Sequence, residues 1–126
     1  MRVALTPLAG NVVCVKVEGR LDASSVPAFE QAMQKLLLEG QARLVVDLAD
    51  VSYISSSGLR VLLTTRRQSR SRGGDLFLCC LHPRVKEIIE MVGFMSVFGV
   101  YATSEEAATA FSRPGPLPEK EAPTCL

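Results

Sequence analysis

Residues 44–63 read LVVDLADVSYISSSGLRVLL, and the order of residue types in this stretch decides the fold. Leu44, Val45, Val46 and Leu48 form a nearly continuous apolar run, the pattern of a strand covered on both faces. Leu59, Leu62 and Leu63 recur at helical spacing. Between the two stand Ser55, Ser56, Ser57 and Gly58. A strand therefore enters a helix through a joint rich in hydroxyls. One serine suffices to cap a helix, because its oxygen accepts from an otherwise unpaired backbone N–H. The other two need a reason.

Reading outward, residues 3–8 and 11–17 predict a hairpin about Gly10 and Asn11, with Val13, Val15 and Val17 alternating. Residues 26–38 predict a helix with Phe29, Met33, Leu36 and Leu37 on one stripe, capped by Asp22 or Ser24 and closed at Gly40. Residues 43–48 predict the central strand, 57–72 a helix ended by Gly73 and Gly74, and 75–81 a further buried strand. Pro83 suits a helical first turn and opens a helix to residue 92. A strand over 97–102 precedes a last helix, with Ser104 as cap and Glu105 and Glu106 where the helix dipole favours acids. The order β-β-α-β-α-β-α-β-α predicts an α/β fold in a single domain over residues 1–112. It has a mixed sheet, mostly parallel with an antiparallel N-terminal edge, and about four helices. In residues 113–126, Pro114, Pro116, Pro118 and Pro123 alternate with polar groups, which predicts a disordered Pro-rich tail.

The chain has 126 residues, 48% of them hydrophobic, enough for one domain with a true core. Its net charge of +1 argues against binding nucleic acid through overall basicity. No apolar run approaches the roughly 20 residues of a membrane span, and the N-terminus lacks a signal-peptide core. A cytoplasmic protein without a membrane partner is expected. Cys14 and Cys79 sit in apolar runs, Cys80 adjoins Cys79, and Cys125 lies in the tail. With no CxxC pair and no metal-like spacing to the single histidine, His82, free thiols are expected, with no metal and no cofactor.

The serine joint has a chemistry of its own. A helix N-terminus carries unpaired N–H groups and partial positive charge, so a phosphate on a serine there is stabilised without an added cation. Arg60, four residues after Ser56, shares its helix face. The same helix carries Arg60, Arg66, Arg67, Arg70 and Arg72 and no acid. Beyond Leu63 the core-side stripe holds Arg66 and Arg70, so the second half of the helix is expected to be exposed. Taken alone, the serines read as a cap with small residues beside it, and the arginines as a solvated face. A basic patch for an acidic partner is the next reading, and nucleic acid comes last, since no aromatic residues are interleaved for stacking. Catalysis fits poorly. A nucleophile elbow, G-x-S-x-G, would need glycine where Ile54 stands, and His82 is the lone possible base. The phosphate-loop motif GxxxxGK[ST] is absent, so no enzyme is expected.

Four segments carry a resemblance. They are VEGRLD (17–22), the stretch 44–63, GGDLFLCCLHPRVKEIIEMVGF (73–94) and VFGVYATSEEAATAF (97–111). In this order and spacing the chain resembles, over residues 9–112, the STAS domains of bacterial anti-sigma factor antagonists. The resemblance implies a binding module. Unphosphorylated, such a protein binds an anti-sigma factor that is also a serine kinase, and so frees a sigma factor. The kinase then uses ATP to phosphorylate a serine at the helix start, and a phosphatase resets the switch. The acceptor matches Ser56, two residues before Gly58, with Ser57 as runner-up. Ser55 falls where many members have aspartate; it can orient the acceptor hydroxyl but is not expected to take its proton. The implied partner surface comprises Asp22, Ser24, Tyr53, Ser55, Ser56 and Arg60, although Asp22 reads equally as a helix cap. The alternative is a STAS adaptor that does not switch, as in stressosomes or accessory subunits of lipid transporters.

Overall fold

The computed structural model describes residues 1–112; the proline-rich segment 113–126, including Cys125, lies outside the described residues. Strand β3 (Arg43–Ile54) occupies the centre of a five-stranded sheet of order β1-β2-β3-β4-β5. Its neighbours are β2 (Val12–Leu21) and β4 (Asp75–Cys79), both parallel to it. Beyond them lie β1 (Arg2–Leu8), antiparallel to β2, and β5 (Gly99–Tyr101), parallel to β4. The connecting helices are α1 (Val26–Leu38), α2 (Ser56–Ser71) and α3 (Pro83–Met91), and α4 (Ser104–Ser112) ends the described chain. This is the expected mixed α/β sheet with four helices.

The continuous apolar run of β3 is explained by cover on both faces. Leu44, Val46 and Leu48 are fully buried in the main core with Phe29, Met33, Leu62, Val85 and Ile89. Val45 joins a smaller layer under α4, with Val12, Cys14, Cys79 and Ala107. There Phe77 packs on Phe111 and Tyr101, at ring-centroid separations of 4.4 and 5.3 Å. Each fully buried Leu or Phe stabilises the fold by roughly 1.5–3 kcal/mol relative to exposure.

The structure departs from the sequence reading at several boundaries. Strands β2 and β3 run on to Leu21 and Ile54, beyond the expected 17 and 48. Their ends pair as Glu18 with Asp50, Arg20 with Tyr53 and Leu21 with Ile54, with register shifts before Glu18 and before Arg20. Because β4 ends opposite Asp47, this overhang of β3 has only β2 beside it, and its polar residues face outward. Strand β4 stops at Cys79 because Cys80 adopts φ 59°, and β5 is shorter than expected. Neither Asp22 nor Ser24 caps α1; Ser25 is the cap residue, and the Asp22 carbonyl receives the N–H groups of Ser25 and Val26. Thr103, not Ser104, caps α4. Its hydroxyl accepts from the Glu106 N–H at 3.1 Å, while the Glu106 carboxylate accepts from the Ala102 N–H at 3.3 Å.

The second half of α2 is packed, contrary to expectation. Thr65 and Ser69 are buried on the stripe that Leu62 begins, and their small size lets the helix approach the sheet. Gln68 accepts a hydrogen bond from Gln34 of α1 at 2.7 Å. Arg66 and Arg70 fold over to Asp75 at the start of β4, at 3.4 and 3.0 Å. Burial pushes the Asp75 carboxyl above its ordinary value, against the pull of the Leu76 N–H and the two arginines.

Two consequences are testable. A Cβ on Gly74 would lie 1.9 Å from the Ala42 carbonyl oxygen, whereas Gly73, at φ +86°, has open space around it. Gly73→Ala is expected to cost roughly 1–2 kcal/mol from backbone strain alone. Gly74→Ala is expected to cost more than about 3 kcal/mol, because backbone must move. Urea denaturation distinguishes them, and equal costs would contradict the close approach. For Asp75, the native state holds its proton to higher pH than the unfolded chain. Stability should therefore fall as pH rises from the ordinary value of 3.8 through the raised native one. Asp75→Asn should flatten that part of the stability profile; an unchanged profile would contradict the assignment.

Candidate functional site

The hydroxyl-rich joint resolves into three different serines. Ser55 is the N-cap of α2, in extended conformation, and its Oγ accepts from the Gly58 N–H at 3.2 Å. Its backbone N–H donates to the Leu21 carbonyl at 2.8 Å, and its carbonyl accepts the Leu59 N–H at 3.0 Å. The cap thus ties the helix start to the end of β2. Ser57 is half-buried, with its Oγ 2.9 Å from that of Ser55. Ser56 is the first helical residue, one position earlier than expected; it is exposed, and its hydroxyl has no partner among the described residues. Gly58 lets this turn lie against the sheet, since a Cβ there would meet Ile54 Cγ1 at 3.0 Å and Leu21 at 3.4 Å.

Around Ser56 the ends of β2 and β3 supply a polar strip. Tyr53 precedes the joint by two residues, and the Arg20 guanidinium lies over its ring, 4.6 Å from the centroid. Arg20 Nε also faces Asp22 Oδ2 at 3.4 Å. Asp22 Oδ1 accepts from the Ser24 hydroxyl at 2.8 Å and the Ser24 N–H at 3.1 Å, which folds the loop on itself. These bonds, the Ser24 hydroxyl foremost, hold the Asp22 carboxyl below its usual range. Arg60 is exposed on the helix face that Ser56 begins. The fold therefore places Asp22, Ser24, Tyr53, Ser55 and Ser56 at one end of two adjoining strands, with Arg60 one helical turn on. Arg20 belongs with them and is missing from the sequence reading. It stands inside VEGRLD, but its approach to Tyr53 depends on a pairing register that no local pattern reveals.

The site offers little for catalysis. His82 is the cap residue of α3, and its Nδ1 accepts from the Arg84 N–H at 3.1 Å, so that nitrogen is committed to structure. Burial pushes the Cys14 thiol up to about 11 and the Cys79 thiol higher still. Both are protonated at neutral pH and poor nucleophiles. Among the described residues one group of metal-ligating side chains comes together, Asp47 with Cys79 and Cys80, away from the serine joint. No helix among the described residues is long and apolar enough to cross a membrane.

Known proteins are similar to this chain in sequence and fold. The STAS domain family matches residues 4–107. The protein BtrV of Bordetella bronchiseptica is 35% identical over 111 residues, which span 88% of this chain and 95% of that protein. The anti-sigma-B factor antagonist of Bacillus subtilis is 32% identical over 95 residues, spanning 75% of this chain and 86% of the relative. The crystal structure of an anti-sigma factor antagonist from Mycobacterium paratuberculosis superposes with a TM-score of 0.79 at 28% identity, covering 89% of this chain and 94% of that one. With the expected mixed sheet and a helix beginning at the serine joint, this chain belongs to the STAS domain family, among the anti-sigma factor antagonists.

Proposed function

We propose that this protein is a phosphorylation-switched binding module. Unphosphorylated, it docks on an anti-sigma factor that is a serine kinase and so releases a sigma factor. The kinase ends the contact by transferring the γ-phosphoryl of ATP to Ser56, and a phosphatase restores the hydroxyl. The observation that carries this reading is the division of labour at the joint. The Ser55 and Ser57 hydroxyls lie within hydrogen-bonding distance of each other, and Ser55 also caps the helix. Of the three, only Ser56 is exposed, and its hydroxyl has no partner among the described residues. Named relatives support the anti-sigma factor as partner.

The physical chemistry favours a switch that spares the fold. Phosphorylation adds about −1.5 to −2 charges and three acceptor oxygens. At the first residue of α2 these lie beside free N–H groups, where negative charge is stabilised by roughly 0.3–1 kcal/mol. Arg60, four residues on, adds a cation on the same face. The cost falls on any partner surface built to meet a neutral hydroxyl. In the transfer, Ser56 Oγ attacks the γ-phosphorus and ADP leaves. Ser55 is no base, so the proton passes to a base of the kinase.

Three outcomes are expected. With the cognate kinase and radiolabelled ATP, label enters the wild type and Ser57→Ala but not Ser56→Ala; label persisting in Ser56→Ala would move the acceptor. Ser56→Asp should keep a near-native melting temperature yet bind the kinase at least about tenfold more weakly, 1.4 kcal/mol. Wild-type affinity in that variant, together with an absence of labelling, would favour a STAS adaptor that does not switch. In phosphorylated protein, Arg60→Ala should raise the second pKa of the phosphoserine, because loss of the cation destabilises the dianion. Phosphorus NMR titration reads this directly, and an unchanged value would leave the helix N–H groups as sole stabilisers.

A further inference from the structure

The α4 face of the sheet carries a second cluster. Lys16, Asp47, Cys79 and Tyr101 are register partners, forming one row across β2, β3, β4 and β5. Cys80 follows Cys79 directly, and in an extended strand its side chain would face the other way. Its φ of 59° breaks the alternation. A carboxylate oxygen of Asp47, Cys79 Sγ and Cys80 Sγ consequently lie within 4.8 Å of one another. Cys79 is fully buried, while Asp47 and Cys80 are half-buried, so the group has a dry floor and a mouth open to solvent. The Cys80 thiol interacts with Cys79, with Asp47 and with the backbone of Ser104 at the start of α4. A non-glycine residue in left-handed backbone is strained. The chain thus carries a thiol where its backbone favours glycine.

We infer that Asp47, Cys79 and Cys80 form a zinc site, with the fourth position open to water. Two sulfurs and one carboxylate oxygen suit a borderline cation. Magnesium and calcium prefer oxygen throughout, and copper(I) prefers sulfur throughout. Tetrahedral zinc sets such ligands roughly 3.5–3.8 Å apart, so the donors need only a small inward adjustment. On binding, two Zn–S bonds form as two S–H protons pass to solvent. The resulting site has a net charge of −1; Lys16, the register partner of Asp47 on β2, lies nearby and is ion-paired with Asp50 at 3.5 Å. The metal would join the end of β4 to β3 and, through Ser104, to the start of α4. The CxxC and Cys/His spacings that ordinarily reveal zinc are absent, because two of the ligands are adjacent in sequence and the third lies on another strand.

Cobalt(II) reports thiolate ligation through its charge-transfer absorption. The 126-residue chain, carrying Cys125→Ser and kept reduced by a phosphine, is titrated with cobalt(II) and then zinc(II), with stoichiometry from native mass spectrometry. One metal per chain is expected, with a charge-transfer band that zinc bleaches. Cys14→Ser should keep the band and Cys79→Ser should lose it. Asp47→Asn should weaken binding by at least the roughly tenfold that even an outer-shell partner costs. Cys80→Gly is the decisive variant, because glycine relieves the left-handed backbone and so keeps the fold, verified by circular dichroism, while deleting a ligand. No band in the folded parent chain, or a band that survives in folded Cys80→Gly, would overturn the site.

Discussion

The candidate site depends on the cap at Ser55. That one residue accepts the Gly58 N–H with its side chain and donates its own N–H to Leu21 of the neighbouring strand. A cap of this kind contributes about 1 kcal/mol to a helix. Its larger consequence is positional. The first turn of α2 is fixed to the ends of β2 and β3, with Gly58 allowing close contact and Ser56 pointing away from the protein. A helix start that frayed would present no defined hydroxyl and no aligned N–H groups to a partner or to a phosphate.

The rest of the fold holds that joint still. α2 packs along its whole length, through Leu59 and Leu62 in the core, Gln68 against α1, and Arg66 and Arg70 over Asp75. The turn that follows it passes so close to residue 42 that only glycine fits at 74. Charge added at the exposed end therefore meets a scaffold with little freedom to rearrange, and its effect is exerted outward. The zinc site inferred at Asp47, Cys79 and Cys80 belongs to the other layer, under α4, where it would brace β4 rather than α2.

Much of this was legible in the residues. The bounds of α1 follow from its apolar stripe and Gly40, and the parallel pairing of β2 to β5 follows from the alternation of strands and helices. The second half of β3 was not, because Ala49, Asp50 and Ser52 carry no strand pattern and their pairing depends on distant β2. Arg66 and Arg70 looked solvent-bound because their partner, Asp75, lies in the next strand. At the site, the residue types pointed to a capped helix start that could carry phosphate, but which serine caps and which remains unengaged depends on side-chain geometry. Arg20 over Tyr53, and the turning of Cys80 toward Cys79, each arise from backbone geometry that neither composition nor spacing encodes.

In the proposed switch, a phosphoryl group alters a surface and leaves its scaffold in place. Amide NMR spectra of the protein before and after modification by its kinase test this most directly. Shifts confined to the first turn of α2, Tyr53 and the loop from Arg20 to Ser25, with β4, β5 and α4 unmoved, are the predicted result. Perturbations spread through the far strands and α4, signalling a refolded core, would contradict it.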